Sequence, residues 1–390
     1  MRKKCPYCGN NPVPHFLNWY FESINVLLAP VRGWVLYNPF SVAVGNFLTS
    51  KNVGTHFLQS LKSIGIIKLQ PDKTKCKISR AEVLWEEAEA RNIQFSEMLL
   101  FGNSIDEYMA EKNGKVITFS GLPRPHANNS TLDILDDKLE FKRIIQHAGL
   151  PTPAGGSART FSQAKKIFHT IQKPVIVKPR AGSRGRHTTT YVYTLEELQK
   201  AFFVAKQLCY WVVVEEQLFG PVYRGTVINF KTEGVLRGDS PQVTGDGSST
   251  IFQLVQKRNS APHPGTANIA LDDRAGVYLS RQNLTFESIL QKGEVVTLSE
   301  KIGVNYGGSS SEDYGICHKD TIELFEKAAR ALSEQIVGFD FIIGDIAKSW
   351  KEQRCGFIEA NSLPFINLHH EPLLGTPRNV AAAVWRLAGM

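Results

Sequence analysis

The chain has 390 residues, 42% of them hydrophobic, and a mean hydropathy of −0.18, which suits two or three packed units. No apolar run reaches the roughly 20 residues of a membrane span: the best, residues 24–36, is broken by Pro30, Arg32 and Gly33, and no apolar signal core follows the basic start, so a cytoplasmic protein is expected. A net charge of +8 and a pI of about 9.1 suit anionic partners such as nucleotides or acidic peptides, with solubility alone as the plain alternative; the chain has no Lys/Arg-rich block, which counts against nucleic acid.

Residues 1–120 read as one region. It opens with Cys5-Pro6-Tyr7-Cys8-Gly9 and an aromatic stretch containing Phe16, Trp19, Tyr20 and Phe21. The CxxC has the form of half a zinc knuckle. Tetrahedral zinc needs four ligands, for which His15 is a candidate third and Cys76 or His56 a fourth. The same string serves thiol redox chemistry where it follows a strand and opens a helix, a context that Pro12 and Pro14 oppose; two reduced cysteines near a frayed end are the plain alternative. Cys76, Cys209, Cys317 and Cys355 are expected as reduced thiols. Residues 80–91 form a helical pattern with Val83, Leu84 and Ala88 on its apolar face, and the Gly/Pro-rich stretch 121–125 reads as a boundary.

A helix follows, with Asp133 as its cap, Leu135, Leu139, Ile144 and Ile145 at helical spacing, and Gly149, Pro151 and Pro153 at its stop. Residues 174–178 (PVIVK) are a buried strand, 180–187 a glycine-containing loop and 188–193 a second strand. Thr194 then caps a helix through Lys206, and residues 211–215 (WVVVE) are a third strand, so that this stretch makes a small α+β unit. Residues 223–230 and 235–237 look like a hairpin turning at Glu233-Gly234. A strand at 294–298, a helix at 320–335, strands at 339–343 and 356–360, and a last helix starting at Thr376-Pro377 complete the pattern.

Asp340 sits inside an apolar strand, and Glu359 and Asn361 lie two apart on another, so the latter two share a face. A buried carboxylate is costly unless paired. Three oxygen ligands on neighbouring strands suit Mg²⁺ that also holds phosphates, and a structural pairing of Asp340 with a Lys or Arg is the alternative. Lys178 ends its strand beside Ala181-Gly182-Ser183-Arg184-Gly185-Arg186, whose glycines and arginines could cradle an anion, although ordinary hairpins also contain glycine. Glu215 ends a strand and could read an adenine edge, or be a solvated strand end.

In this order the segments resemble the ATP-grasp superfamily, and within it the ATP-grasp portion of cyanophycin synthetase and related peptide-forming carboxylate–amine ligases. The matching stretches begin at Asp136-Asp137-Lys138 and 148–153. They continue through 174–179, 180–189, 212–216, Gly245-Asp246-Gly247-Ser248-Ser249-Thr250-Ile251, 293–296, 306–309, GFDFII at 338–343 and IEAN at 358–361, and close with 368–372 and 376–380. The resemblance implies an α+β, ATP-grasp fold. Two α+β subdomains, 121–220 with the lid and 221–390 with the catalytic residues, would grip ATP, and residues 1–120 would form an additional N-terminal domain. It implies Lys138 and Lys178 on ATP phosphates and the loop with Gly182, Ser183, Arg184 and Gly185 as a lid over them. Glu215 would take the adenine amino group, with the Leu218 backbone at the hinge. Asp340, Glu359 and Asn361 would hold two Mg²⁺ ions, and Arg237 and Gly307-Gly308 would lie near the acyl phosphate, with Arg237 and Asn361 as the catalytic pair.

The activity implied is ATP-dependent joining of a small-molecule or peptide carboxylate to an amine through an acyl phosphate, with no membrane partner; assembly into a homo-oligomer is left open. A kinase, a thioester-forming ligase or a catalytically reduced nucleotide-binding module are the alternatives. The chain departs from the pattern at Val222, where relatives carry an acidic ribose contact that Glu216 would have to replace. It departs also at His187, where glycine is frequent, and at Phe365 after Pro364.

Overall fold

The computed structural model describes residues 5, 7–8, 13–37, 66–124, 135, 137–181, 186–263, 265–299 and 301–390. Strands β1 (Ile67–Gln70), β2 (Gln94–Leu100), β3 (Asn103–Lys112) and β4 (Lys115–Ser120) make an antiparallel sheet in sequence order. The helix expected at 80–91 is found at Ser79–Ala90. It lays Val83, Leu84, Trp85 and Ala88 on the sheet's Phe95, Tyr108 and Phe119. This core is closed by the last helix, Val380–Leu387, which inserts Val380, Val384 and Trp385; the Trp385 indole donates to the Leu84 carbonyl at 3.0 Å.

Helix His15–Tyr37 has a different partner. Asn18 donates to the Leu208 carbonyl at 3.0 Å, and the Ser23 hydroxyl accepts from the Tyr210 N–H at 2.9 Å. The described part of residues 1–120 therefore consists of two pieces seated on different units rather than one region. The physical reason is that neither piece closes a core by itself. Among the described residues, no helix is long and apolar enough to cross a membrane.

The second sheet comprises β5 (Gly155–Ala158), β6 (Val175–Pro179), β7 (Thr189–Val192) and β8 (Val212–Glu216), in the order β5-β8-β6-β7. Val175, Val177, Val212 and Val214 pack under helices Phe161–Thr170 and Leu195–Lys206 through Phe168 and Phe202. Each helix begins with a reciprocal capping box, Thr160 with Gln163 and Thr194 with Glu197, the second at the expected cap. The preceding helix runs Lys138–His147. Its cap is Asp137, which accepts from the Leu139 and Glu140 N–H groups, and not Asp133, which lies outside the described residues. Both are capping residues, but only Asp137 stands immediately before the first helical position.

The third sheet carries β9 (Val222–Ile228), β10 (Lys231–Gly238), β13 (Ser310–Glu312), β14 (Ile336–Ile343), β15 (Cys355–Asn361) and β16 (Leu374–Gly375), ordered β15-β14-β9-β10-β13-β16. A two-stranded ribbon of β11 (Gln242–Thr244) and β12 (Val295–Thr297) stands apart, with its own small core of Ile251, Val255, Leu279 and Leu290. One face of the six-stranded sheet packs Phe339, Phe341 and Phe357 against Phe325 of helix Lys319–Ala331 and Phe141 of helix Lys138–His147. The helix expected at 320–335 thus ends at Ala331, and Ile336 already belongs to β14.

The β9–β10 hairpin turns at Asn229-Phe230, both with positive φ (51° and 60°), and not at Glu233-Gly234. Gly234 lies within β10 beside a register shift, and a Cβ there would stand 2.4 Å from His369 Nδ1. Its glycine admits an imidazole rather than a turn. His369 is fully buried; its Nδ1 donates to Glu312 at 2.5 Å, and its Nε2 accepts from the Thr226 hydroxyl at 2.7 Å. The other Glu312 oxygen accepts from the Val235 N–H at 2.8 Å. The last helix is capped by Asn379 rather than by Thr376, because the Asn379 side chain takes the Ala382 N–H.

His369→Ala should leave Glu312 buried without its imidazole and lower the unfolding free energy by about 3 kcal/mol. Urea denaturation checks this, and an unmoved midpoint would show that the network carries no stability.

Candidate functional site

Register builds the centre of the site. Antiparallel pairing sets Asp340 opposite Glu359 and Gly338 opposite Asn361, while β9 on the other side of β14 sets Arg224 opposite Asp340. A bulge follows Asp340, so Phe341 and Phe357 stay in the aromatic core while the carboxylates leave the other face. Arg224 grips Asp340 with two bonds, 2.7 Å from Nε and 3.0 Å from the terminal nitrogen. Lys138, at the first helical position after its cap, stands 3.2 Å from Glu359.

Burial raises the Asp340 carboxyl, and the neighbouring Glu359 adds to this against the pull of Arg224. Burial would raise Glu359 as well, but Lys138 and Lys178 outweigh it and hold that carboxyl at about 2. Each carboxylate thus has its own cation, Arg224 on Asp340 and Lys138 on Glu359. Asn361 completes the set: its Nδ2 is buried without a hydrogen-bond partner. Two carboxylates with the amide oxygen of Asn361 fit the oxygen-rich, incomplete shell that Mg²⁺ takes when it also holds phosphate and water, and the unpartnered Nδ2 is a donor suited to a phosphate oxygen rather than to the cation.

A second cluster stands beside the first. Lys178 on β6 contacts Glu215 on β8 at 2.5 Å, and Lys142 contacts the other Glu215 oxygen. Burial pushes the Lys142 ammonium down to about 8. Burial opposes ionisation of Glu215, yet the two lysines hold its carboxyl below the usual range. Glu215, expected at an adenine amino group, thus gives both oxygens to lysines. Lys142 was not among the expected site residues, although it lies one turn after Lys138 on the same helix face, a spacing visible in the chain. Arg224 was missed too, since a single arginine in a strand has no distinctive pattern.

The remaining expected residues are distributed as follows. Glu216 pairs with Arg354, and buried Leu218 lies against Gly356. Gly182, Ser183, Arg184 and Gly185 lie outside the described residues; just before them, Arg180 is held by Asp137 at 2.6 and 2.9 Å. Arg237 is in register with Tyr223, not with Arg224, so it leaves the sheet on the face away from Asp340. It binds Asp239 at 2.9 Å and Asp313 at 3.3 Å. Asp239 brings it to Gly308, where a Cβ would stand 2.0 Å from the Asp239 carbonyl oxygen. Arg237 and the glycine pair are thus together, but apart from the carboxylates. Val222 starts β9 and offers no charge. Cys76 is buried in the first core with its sulfur toward the Ile78 carbonyl, which removes it as a partner of Cys5 and Cys8; His56 lies outside the described residues.

A cavity of about 870 Å³ is walled by Arg186, Thr188–Thr190, helix Asp273–Ser280 and Leu298, Ser299, Lys301, Asn305 and Tyr306. Asp340, Glu359, Lys138 and Lys178 do not line it, so this cavity and the charged cluster are distinct places.

No family model matches the chain. Over 314 residues it is 31% identical to cyanophycin synthetase of Synechocystis sp., a match covering 78% of this chain and 35% of that protein. It is 27% identical over 314 residues to the glutathione biosynthesis bifunctional protein GshAB of Clostridium perfringens, covering 78% and 40%. The chain thus spans well under half the length of these relatives. Among solved structures, a bifunctional glutathione synthetase from Pasteurella multocida superposes with a TM-score of 0.60 at 20% identity, over 94% of this chain and 53% of that one. The chain resembles the ATP-grasp portion of cyanophycin synthetase, and its fold is the expected α+β ATP-grasp fold.

Arg224→Met should strand Asp340 and lower the unfolding free energy by about 3 kcal/mol, whereas Arg224→Met with Asp340→Leu should recover most of it. Chemical denaturation of the two variants checks this; equal losses in both would mean that the pair itself is not what stabilises the strands.

Proposed function

We propose that the chain is an ATP-dependent carboxylate–amine ligase that forms an amide or peptide bond through an acyl phosphate. The observation that carries the reading is the Asp340–Glu359 pair on adjacent strands, with Asn361 beside it and Lys138 in contact with Glu359. A carboxylate does not react with an amine at neutral pH because its oxygen leaves poorly. Transfer of the ATP γ-phosphoryl group makes a mixed anhydride that an amine can attack, releasing phosphate and leaving ADP.

In this reading Asp340, Glu359 and Asn361 hold two Mg²⁺ ions, whose charge offsets that of the phosphates. Arg224 orients Asp340 and favours its ionised form. Lys138 and Lys178 exchange their carboxylate partners for phosphate oxygens, with Lys142 remaining on Glu215. Glu215, Glu216 and Leu218 border the base and ribose. Arg237 with Gly307-Gly308, on the sheet face away from Asp340, is given no part in the transfer, and the 180–187 loop keeps water from the anhydride. The chemistry then needs little beyond positioning and charge neutralisation. The substrates proposed are small-molecule or peptide carboxylates and amines, and the compartment proposed is the cytoplasm.

ADP release from Mg²⁺-ATP and a mixed amino-acid pool tests the reading. Wild-type protein should release ADP in an amine-dependent way, and Glu359→Gln should abolish the release with an unchanged far-ultraviolet dichroism spectrum. Undiminished turnover in that variant would remove the metal assignment. Lys178→Ala should weaken ATP binding about tenfold by calorimetry, and unaltered affinity would take Lys178 out of the nucleotide site.

A further inference from the structure

Outside the carboxylate site, four side chains with soft or borderline donor atoms meet. Cys5 and Cys8 belong to the N-terminal segment, His15 opens the helix that follows, and His187 comes from just before β7. Their donor atoms all lie within 4.8 Å of one another. Cys8 Sγ is 3.1 Å from His15 Nε2 and 3.4 Å from His187 Nε2, and Cys5 Sγ is 3.6 Å from His187 Nε2. Zinc bonds of about 2.3 Å to sulfur and about 2.0 Å to nitrogen, set at tetrahedral angles, put sulfur and nitrogen ligands about 3.5 Å apart. The observed spacings are those of a tetrahedral shell.

His187 gives independent support. Its φ is +50°, a left-handed conformation uncommon outside glycine, so the position is occupied by an imidazole at some backbone cost. Its Nδ1 donates to the Val204 carbonyl at 2.8 Å, which fixes the proton there and leaves the Nε2 lone pair aimed at both sulfurs. This is the outer hydrogen bond that metal-bound imidazoles characteristically make. The His187 N–H also donates to the Tyr7 carbonyl at 3.1 Å, tying the backbones of the two segments beside the donors. Cys8 and His187 are buried, at 4% and 1% exposure.

We propose that Cys5, Cys8, His15 and His187 form a structural zinc site that pins the N-terminal segment to the β6–β8 sheet at the foot of β7. All four coordination positions come from the protein, which makes the site a closed, structural one rather than one with an open position for chemistry. The helix His15–Tyr37 is docked by this clasp together with its bonds to Leu208 and Tyr210. The site stands whether or not the chain turns over ATP.

Elemental analysis of the full chain, purified without added metal and again after dialysis against zinc, tests the proposal. The expected result is roughly one zinc per chain, a tetrahedral cobalt spectrum with thiolate charge-transfer bands after exchange, and loss of the metal in Cys8→Ser and His187→Gln but not in Cys317→Ser. Wild-type protein that takes up no zinc with its thiols reduced would overturn it, as would full retention of zinc in His187→Gln. A Cys5–Cys8 disulfide whose reduction creates no zinc-binding capacity would also overturn it. Because the wild-type measurement is decisive by itself, failure of a variant to fold does not shelter the proposal.

Discussion

Two carboxylates side by side in an otherwise apolar sheet would repel each other and lose hydration, and the surrounding structure is arranged to offset that. Asp340 and Glu359 face each other across β14 and β15 because the register gives them no alternative. Arg224 reaches Asp340 from β9, and Lys138 reaches Glu359 from the start of a helix. Removing either cation would leave a buried or half-buried charge uncompensated, a far larger penalty than the net worth of the pair. The arrangement therefore stores negative charge at one place on a rigid sheet, where a divalent cation can compete for it.

The same logic operates beside it with the signs exchanged. Glu215 balances Lys142 and Lys178 and lets two ammonium groups approach each other inside the protein. These charged groups lie where three packed units meet: the valine-rich β5–β8 sheet, the face of the large sheet opposite its phenylalanines, and helix Lys138–His147. Each unit buries its own apolar face and is rigid on that account, so the polar side chains at the seam are held by elements whose positions are set elsewhere. Sites built on strands and helix starts hold such groups closely without needing to rearrange.

Much of this was legible in the chain, for identifiable reasons. Asp340 interrupts an apolar run, and Glu359 and Asn361 alternate with apolar neighbours, so the strand period exposed all three at once. Lys178 was visible as a charge closing a valine run. What failed depended on partners distant in sequence. Arg224 acquires meaning only opposite Asp340, and His187 only beside Cys5, a separation of 182 residues. Gly234 was mistaken for a turn because glycine after glutamate reads as one; the real turn uses a phenylalanine at positive φ, which sequence preference disfavours. Within the described part of residues 1–120 two pieces rest on different cores, because a chain pattern shows which faces are apolar but not which core receives them.

The account stands or falls on whether the strand carboxylates take divalent cations together with a nucleotide. The most direct measurement is electron paramagnetic resonance of Mn²⁺ titrated into the protein with and without ADP. The account predicts nucleotide-dependent binding of a coupled pair of ions, lost in Asp340→Asn. Mn²⁺ that stays in solution whether or not ADP is present, or that binds equally well without Asp340, would contradict it.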